Sequence, residues 1–243
     1  MVGPASRAWD ADLAERACPG VSRLLPDLVE AGTRTGERDG VPVFASAHHD
    51  TAAAVAACPG SGDDWVFLSS GTWSLLGAEL PAPVTGSKAL QAGLSNELGV
   101  GGTVRLLKNI MGLWLLQECR RCWAEAGTEL SWPEIADLAG KAPPLAAVID
   151  PDDPPFGGVG DMPGMIADFC ARSGQKTPEG PGPLARAILE ALALKTRLVL
   201  ESLEEVAGRT VRTVNMIGGG IQNRLLCQLT ADATGRRVLA GPV

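Results

Sequence analysis

Val211-Arg-Thr-Val-Asn-Met-Ile-Gly-Gly-Gly-Ile-Gln-Asn223 decides the fold. A β-branched, extended segment runs into three glycines, and Gln222 and Asn223 then open a helix that continues through Arg224-Leu-Leu-Cys-Gln-Leu229. Glycines let the backbone turn sharply and let a ligand lie against bare main chain. A helix starting there offers unpaired N–H groups and the positive end of its dipole. Strand, glycine turn and helix N-terminus together suit a nucleotide phosphate. The same pattern also serves as a plain βα turn that holds nothing.

Outward from this stretch, the chain reads as alternating strands and helices. A long helix is predicted over 183–208, with Leu184, Ile188, Leu192, Leu198 and Val206 at helical spacing. A last strand is predicted over 237–240. Ser131-Trp-Pro-Glu134 is a capping box with Pro in the first turn, and Asp161 caps a further helix to residue 171. Helical period over 109–126 places Asn109 and Gln117 two turns apart on one helix, on a face shared with Gly112 and Arg121. Trp65-Val-Phe-Leu68 and Trp73-Ser-Leu-Leu76 read as a hairpin joined by Ser69-Ser-Gly-Thr72. Strands are predicted around 90–98 and 102–107, and helical pieces over 10–17 and 21–29. A loop covers 32–40, and Val41-Pro-Val-Phe-Ala45 reads as a short buried strand. It leads through Ser46-Ala-His-His-Asp50 into an alanine-rich helix.

Composition narrows the function classes. The apolar share of 45% over 243 residues supports a sizeable core. A net charge of −7 argues against an extended nucleic-acid surface, and with no Tyr and four Phe a base-stacking platform is also not expected. No stretch matches a membrane span or a signal peptide, so a cytoplasmic location is the expectation. Of six cysteines only Cys119 and Cys122 are close, and no second pair or His pair stands at zinc-ligand spacing. These thiols read as structural, and no metal-ligating residues are assigned.

Two places could carry chemistry. Asp50 follows a strand and precedes a helix, so it is either an N-cap or a carboxylate facing the ligand crevice of an open α/β sheet, where it would accept a proton. Ser69-Ser-Gly-Thr72 is either an ordinary turn or a phosphate clasp, with Gly71 at positive φ and the Thr72 hydroxyl as a donor.

The ordered run of Gly40-Val-Pro-Val, His49-Asp-Thr-Ala, Phe67-Leu-Ser-Ser-Gly-Thr-Trp-Ser-Leu-Leu76, Gly160-Asp-Met-Pro163, Ile188-Leu-Glu-Ala-Leu-Ala-Leu-Lys195, Gly218-Gly-Gly-Ile-Gln-Asn223 and Ala240-Gly-Pro-Val243 resembles the FGGY family of carbohydrate kinases. The resemblance covers nearly the whole chain and corresponds to roughly the later half of the family's length. It implies an α/β, ribonuclease-H-like domain of the actin and hexokinase type, a mixed sheet with flanking helices. It also implies a piece cut at both ends, lacking the N-terminal domain and the closing helix. Residues 1–40 would be a partial connecting segment and 41–243 the nucleotide-binding domain. The implied reaction is transfer of a phosphoryl group from ATP, with Mg2+, to a ketose, L-rhamnulose. Asp50 would be the general base, with His49 and Thr51 touching the sugar. Thr72 would meet the ATP phosphates, Asn109 and Gln117 would line the nucleotide, and Gly219 would approach the adenosine. Another ketose or polyol, or nucleotide binding without catalysis, are the alternatives. Activity of this chain by itself is not expected, because the missing domain completes the site. Neither a nucleic acid nor a membrane is an expected partner.

Overall fold

A computed structural model describes residues 2–47, 49–60 and 62–241. His48 and the Pro242-Val243 end of the last matching segment lie outside the described residues. In chain order the elements are α1 (Ala11–Ala17), β1 (Arg34–Arg38), β2 (Val41–Phe44), α2 (Asp50–Ala56), β3 (Trp65–Ser70), β4 (Trp73–Leu80), α3 (Ser87–Ala92), β5 (Ser95–Leu98), β6 (Val104–Met111), α4 (Trp114–Glu125), α5 (Trp132–Lys141), α6 (Met162–Arg172), α7 (Pro181–Ala207), β7 (Thr213–Ile217), α8 (Arg224–Thr234) and β8 (Arg237–Ala240). They form two compact units, one of residues 1–57 and 77–107, the other of 58–76 and 108–243.

The second unit is built on a mixed sheet in the order β6-β4-β3-β7-β8. β3 and β4 are joined by two residues as a hairpin, with Gly71 N–H donating to Trp73 O at 2.9 Å. β7 lies parallel to β3, Trp65 opposite Thr213 and Ser69 opposite Ile217, and β8 lies parallel to β7. Parallel pairing needs a long crossover, and α4 to α7 supply it between β6 and β7. A hairpin-led sheet with two parallel strands added beside its first strand, flanked by helices, is the ribonuclease-H-like arrangement expected above.

α7 starts with Pro181 in its first turn and ends where Gly208 turns left-handed at φ 65°. Its Ile188, Leu189, Leu192 and Leu200 are buried, and it packs against α5 and α8. Within it, buried Glu190 holds Arg186 at 2.6 Å and accepts the Leu145 N–H at 2.8 Å. The two predicted caps are present: Ser131 and Glu134 form a reciprocal capping box, and Asp161 accepts from Gly164 N–H at 3.1 Å. Burial pushes the Cys119 thiol up on α4, and all six cysteines are free. Among the described residues no helix is long and apolar enough to cross a membrane.

The first unit holds α1, β1, β2, α2, α3 and β5, and its share of the sheet runs β5-β6-β4. Here several expectations fail. The predicted buried strand over 41–45 is β2, exposed at every position and paired antiparallel with β1. β1 itself lies in the stretch expected to be a loop. The reason is the turn between them: Asp39 and Gly40 both have positive φ, 53° and 79°, the geometry that joins two strands of a tight hairpin. The helical piece over 21–29 shrinks to one 3-10 turn, Val21–Leu24, because Pro26 holds the residue before it extended. The strand around 90–98 divides into α3 and β5, separated by left-handed Gly93.

Candidate functional site

Three segments of the second unit meet at the end of β3. Ser70, buried, is flanked by the glycine turn after β7: a methyl group on Gly218 would lie 2.7 Å from the Ser70 carbonyl oxygen, and one on Gly220 would lie 2.1 Å from its hydroxyl. A methyl on Gly219 would meet nothing within 4 Å. The outer two glycines are therefore there for packing, and the middle one leaves main chain open to a ligand. On the other side, a methyl on Gly112 would come 2.6 Å from the Gly71 carbonyl oxygen. That close approach lets the first amides of α4 bond the turn: Leu113 N–H donates to Gly71 O at 2.8 Å and Trp114 N–H to Thr72 O at 3.2 Å.

The structure brings Thr72 and Gln117 together. The Thr72 hydroxyl lies 3.2 Å from both the oxygen and the nitrogen of the Gln117 amide. Asn109 is corrected: it is an exposed residue of β6, not a member of the helix that carries Gln117. Strand alternation runs on to Met111, and Gly112 is the break; Ile110 and Leu113 matched helical spacing by coincidence. The phosphate clasp is also narrower than expected. Gly71 does not have positive φ, and its N–H is spent inside the turn. The triplet does not open the helix directly either. A 3-10 turn, Gly219–Gln222, intervenes, and Asn223 caps α8 by accepting from Leu226 N–H at 3.0 Å.

Nearby, the end of β6 is tied down by charge. Met111 N–H donates to Asp152 at 2.8 Å, and Lys195 of α7 sits between Asp150 and Asp152 at 2.8 and 2.9 Å. Burial works against the Lys195 ammonium, but the two carboxylates outweigh it and raise its pKa. Burial likewise works against the Asp150 carboxylate, and hydrogen bonds from Lys195 and the Asp152 N–H hold it below the usual range.

In the first unit, His49, Asp50 and Thr51 open α2. The N-cap is His49, not Asp50: its Nδ1 accepts from Thr51 N–H at 3.2 Å. Asp50 is the first helical residue, and its side chain is 94% exposed. Its Oδ1 also accepts from Thr51 N–H, at 2.6 Å, while Thr51 itself is buried. The strand before this turn belongs to the separate two-stranded ribbon, so Asp50 does not end a strand of the main sheet. His49 lines a cavity of about 640 Å³ that lies wholly within this unit.

Arg105, a residue the sequence reading missed, lines the same cavity. Its side chain is 2% exposed; Nη2 reaches Glu97 Oε2 at 2.8 Å, and among the described residues the buried Nε and Nη1 have no partner. Burial lowers its pKa, opposed by the charges of Glu97, Glu79 and Asp50. One arginine in a strand gives no local sign of burial, since that depends on the neighbouring strands.

Residues 66–242 match the FGGY family of carbohydrate kinases, C-terminal domain. The chain belongs to the FGGY family of carbohydrate kinases. It is 46% identical over 202 residues to a rhamnulokinase of Bacteroides thetaiotaomicron, covering 83% of this chain and 41% of that protein. It is 39% identical over 255 residues to a rhamnulokinase of Enterococcus faecalis, covering 100% of this chain and 51% of the relative. This FGGY chain thus spans about half the length of the curated relatives it matches. Among solved structures it resembles Plasmodium falciparum glycerol kinase with ADP, at TM-score 0.69 and 14% identity, covering 100% of this chain and 49% of that one. At that identity the likeness supports the FGGY fold alone.

Proposed function

We propose that this chain supplies the nucleotide-binding half and the general base of an ATP-dependent kinase that converts L-rhamnulose to L-rhamnulose 1-phosphate. The carrying observation is the division of labour in the glycine triplet: Gly218 and Gly220 pack on Ser70, and Gly219 is left as open main chain. The likeness to enzymes named rhamnulokinase supports the choice of sugar. Membership of the FGGY family of carbohydrate kinases supports a nucleotide as the ligand.

In this reading the nucleotide lies along Gly219, with Thr72 and Gln117 toward its phosphates and Asn109 at the edge. Asp50 takes the proton of the sugar hydroxyl as that oxygen attacks the γ-phosphorus and ADP departs. His49 and Thr51 hold the Asp50 turn and meet the sugar. Among the described residues no three His, Cys, Asp or Glu side chains cluster as a metal site. Mg2+ would arrive on the nucleotide phosphates; it would need one or two protein carboxylates at most and would neutralise phosphate charge when bound. Residues 1–40 as a connecting segment, 41–243 as the nucleotide-binding domain and a cytoplasmic location belong to the same proposal.

The test is a 31P NMR assay with ATP, Mg2+ and a panel of ketoses and polyols. Selective formation of L-rhamnulose 1-phosphate supports the reading, and a different preferred sugar replaces the substrate. A second reading is nucleotide binding without catalysis, which the open main chain at Gly219 would serve equally well. Calorimetry with ADP on the 243-residue chain separates the two: binding without turnover supports the second.

A further inference from the structure

We propose that Trp73 belongs to the nucleotide site: its exposed indole covers the phosphate end of the bound nucleotide beside Thr72, with Nε1–H donating to a phosphate oxygen. The inference rests on the nucleotide-binding reading and adds a contact residue to that same site.

The chain has six tryptophans, and the surroundings of five account for them. Trp9, Trp65 and Trp114 give their indole N–H to the backbone carbonyls of Pro26, Gly62 and Phe156 at 2.7, 3.1 and 3.1 Å. Trp123 is buried on α4, and the Trp132 ring is covered by the Arg120 guanidinium at 4.7 Å. Trp73 has neither cover nor bond. It is 55% exposed, and among the described residues its side chain makes no hydrogen bond or ring contact. Tryptophan is on average well buried, and its N–H usually finds an acceptor. Single exposed apolar side chains are common on protein surfaces, so the place of this one decides what it does.

That place is rigid. Trp73 O accepts the Gly71 N–H at 2.9 Å, and a methyl group on Gly112 would lie 2.6 Å from the Trp73 carbonyl carbon. Further along β4, Ser74 and Leu76 are buried. The ring therefore stands out from a fixed backbone and not from a loose loop. Its neighbour Thr72 is the residue turned toward the phosphates in the nucleotide-binding reading. Consecutive Cα atoms lie about 3.8 Å apart, so a phosphate at the Thr72 hydroxyl lies close to the indole. Other donors of this turn are committed: the Gly71 N–H within the turn, the Thr72 hydroxyl with Gln117, and the first amides of α4 with Gly71 and Thr72. The indole N–H is uncommitted among the described residues. A phosphate oxygen is an anionic acceptor, which makes such a bond about twice as strong as one between neutral groups. Covering the ring also removes apolar surface from water.

The experiment is calorimetry of ADP and of adenosine binding to the 243-residue chain, as wild type, Trp73→Phe and Trp73→Ala. A thermal melt confirms folding, and tryptophan fluorescence is recorded during the ADP titration. Trp73→Ala should weaken ADP binding about 10- to 30-fold, and Trp73→Phe, which keeps a ring but loses the donor, about 3- to 10-fold. Adenosine affinity should be unchanged in both, because adenosine carries no phosphate. ADP should change the emission of the wild type and of Trp132→Phe, and Trp73→Phe should lose most of that change. If the alanine variant does not fold, the phenylalanine variant decides alone. Unchanged ADP affinity in the folded variants, or an equal loss for adenosine, overturns the proposal and leaves the nucleotide-binding reading standing. A wild type that binds no ADP overturns both.

Discussion

In the second unit Ser70 is buried between two packing glycines, Thr72 is paired with Gln117, and the first amides of α4 are spent on Gly71 and Thr72. In the first unit the Asp50 side chain is 94% exposed, and Arg105 is buried with Nε and Nη1 unmatched among the described residues. The turn at the end of β3 pairs its polar groups within its own unit and offers a ligand mainly shape, whereas the start of α2 presents an exposed carboxylate. The contrast fits the two partners of phosphoryl transfer. A phosphate can be held by repeated main-chain contacts at low selectivity, whereas a sugar must be told apart by its hydroxyls. It also implies that packing positions such as Gly220 act first on stability, and open or exposed positions such as Gly219 and Asp50 act first on binding and turnover.

The largest expected effect tests the exposed side of this contrast. In an enzyme carrying both halves of the family's length, Asp50→Asn should lower kcat by about 10²–10⁴-fold, the usual contribution of a positioned base. ADP affinity, measured by calorimetry, should stay within about twofold, because the nucleotide reading involves only second-unit residues. Undiminished turnover would remove Asp50 from the mechanism. Since among the described residues its side chain bonds only the start of its own helix, the melting temperature should hardly move.

Next comes a pair of substitutions within the triplet. Gly220→Ala places a methyl against the buried Ser70 hydroxyl and should cost about 1–3 kcal/mol by overpacking, read from urea midpoints. Gly219→Ala has open space and ordinary φ, so stability should change by no more than about 0.5 kcal/mol. Yet it should weaken ADP binding, since the added methyl stands where the nucleotide would lie. Equal destabilisation by the two would show that the middle glycine is also a packing residue.

How far the sequence alone could go is visible in these same residues. The glycine run was legible as a tight turn between a strand and a helix because it stands between a β-branched run and a helix cap, all local signals. Which of the three glycines packs and which is open depends on Ser70, some 150 positions earlier, and was not legible. Asn109 was misplaced because apolar residues at 110 and 113 satisfy helical spacing while the strand continues to Met111. The β1–β2 hairpin was legible in Asp39-Gly40, but Val-Pro-Val-Phe outweighed it by looking like core. The ribbon is a separate two-stranded sheet, and its β2 side chains are exposed at every position. Arg105 carried no local mark at all.

A smaller effect is expected at the Thr72–Gln117 pair. Thr72→Val removes the hydroxyl and keeps the shape, so ADP affinity should fall about threefold to tenfold, the worth of one hydrogen bond. Because both residues reach solvent, stability should change by less than about 1 kcal/mol. An ADP affinity unaffected by Thr72→Val would place the phosphates elsewhere and leave the open Gly219 as the remaining contact.

The smallest effect is a pH dependence in the second unit, which tests whether its charges are matched internally. The folded pKa of Asp150 lies below its ordinary 3.8, so its contribution is present above that pH and is lost as pH falls through the lower folded value. The folded pKa of Lys195 lies above its ordinary 10.5, so its contribution is full below that pH and is lost as pH rises through the higher folded value. The stability difference between wild type and Lys195→Met should therefore be flat between these limits and shrink outside both. Its plateau should not exceed about 1 kcal/mol, because Asp150 is half exposed and solvent screens the pair. Urea midpoints at a series of pH values would measure it. A difference that grows on acidification would mean that Lys195 stabilises the loop through something other than Asp150 and Asp152, and that this unit's charges are not matched among themselves.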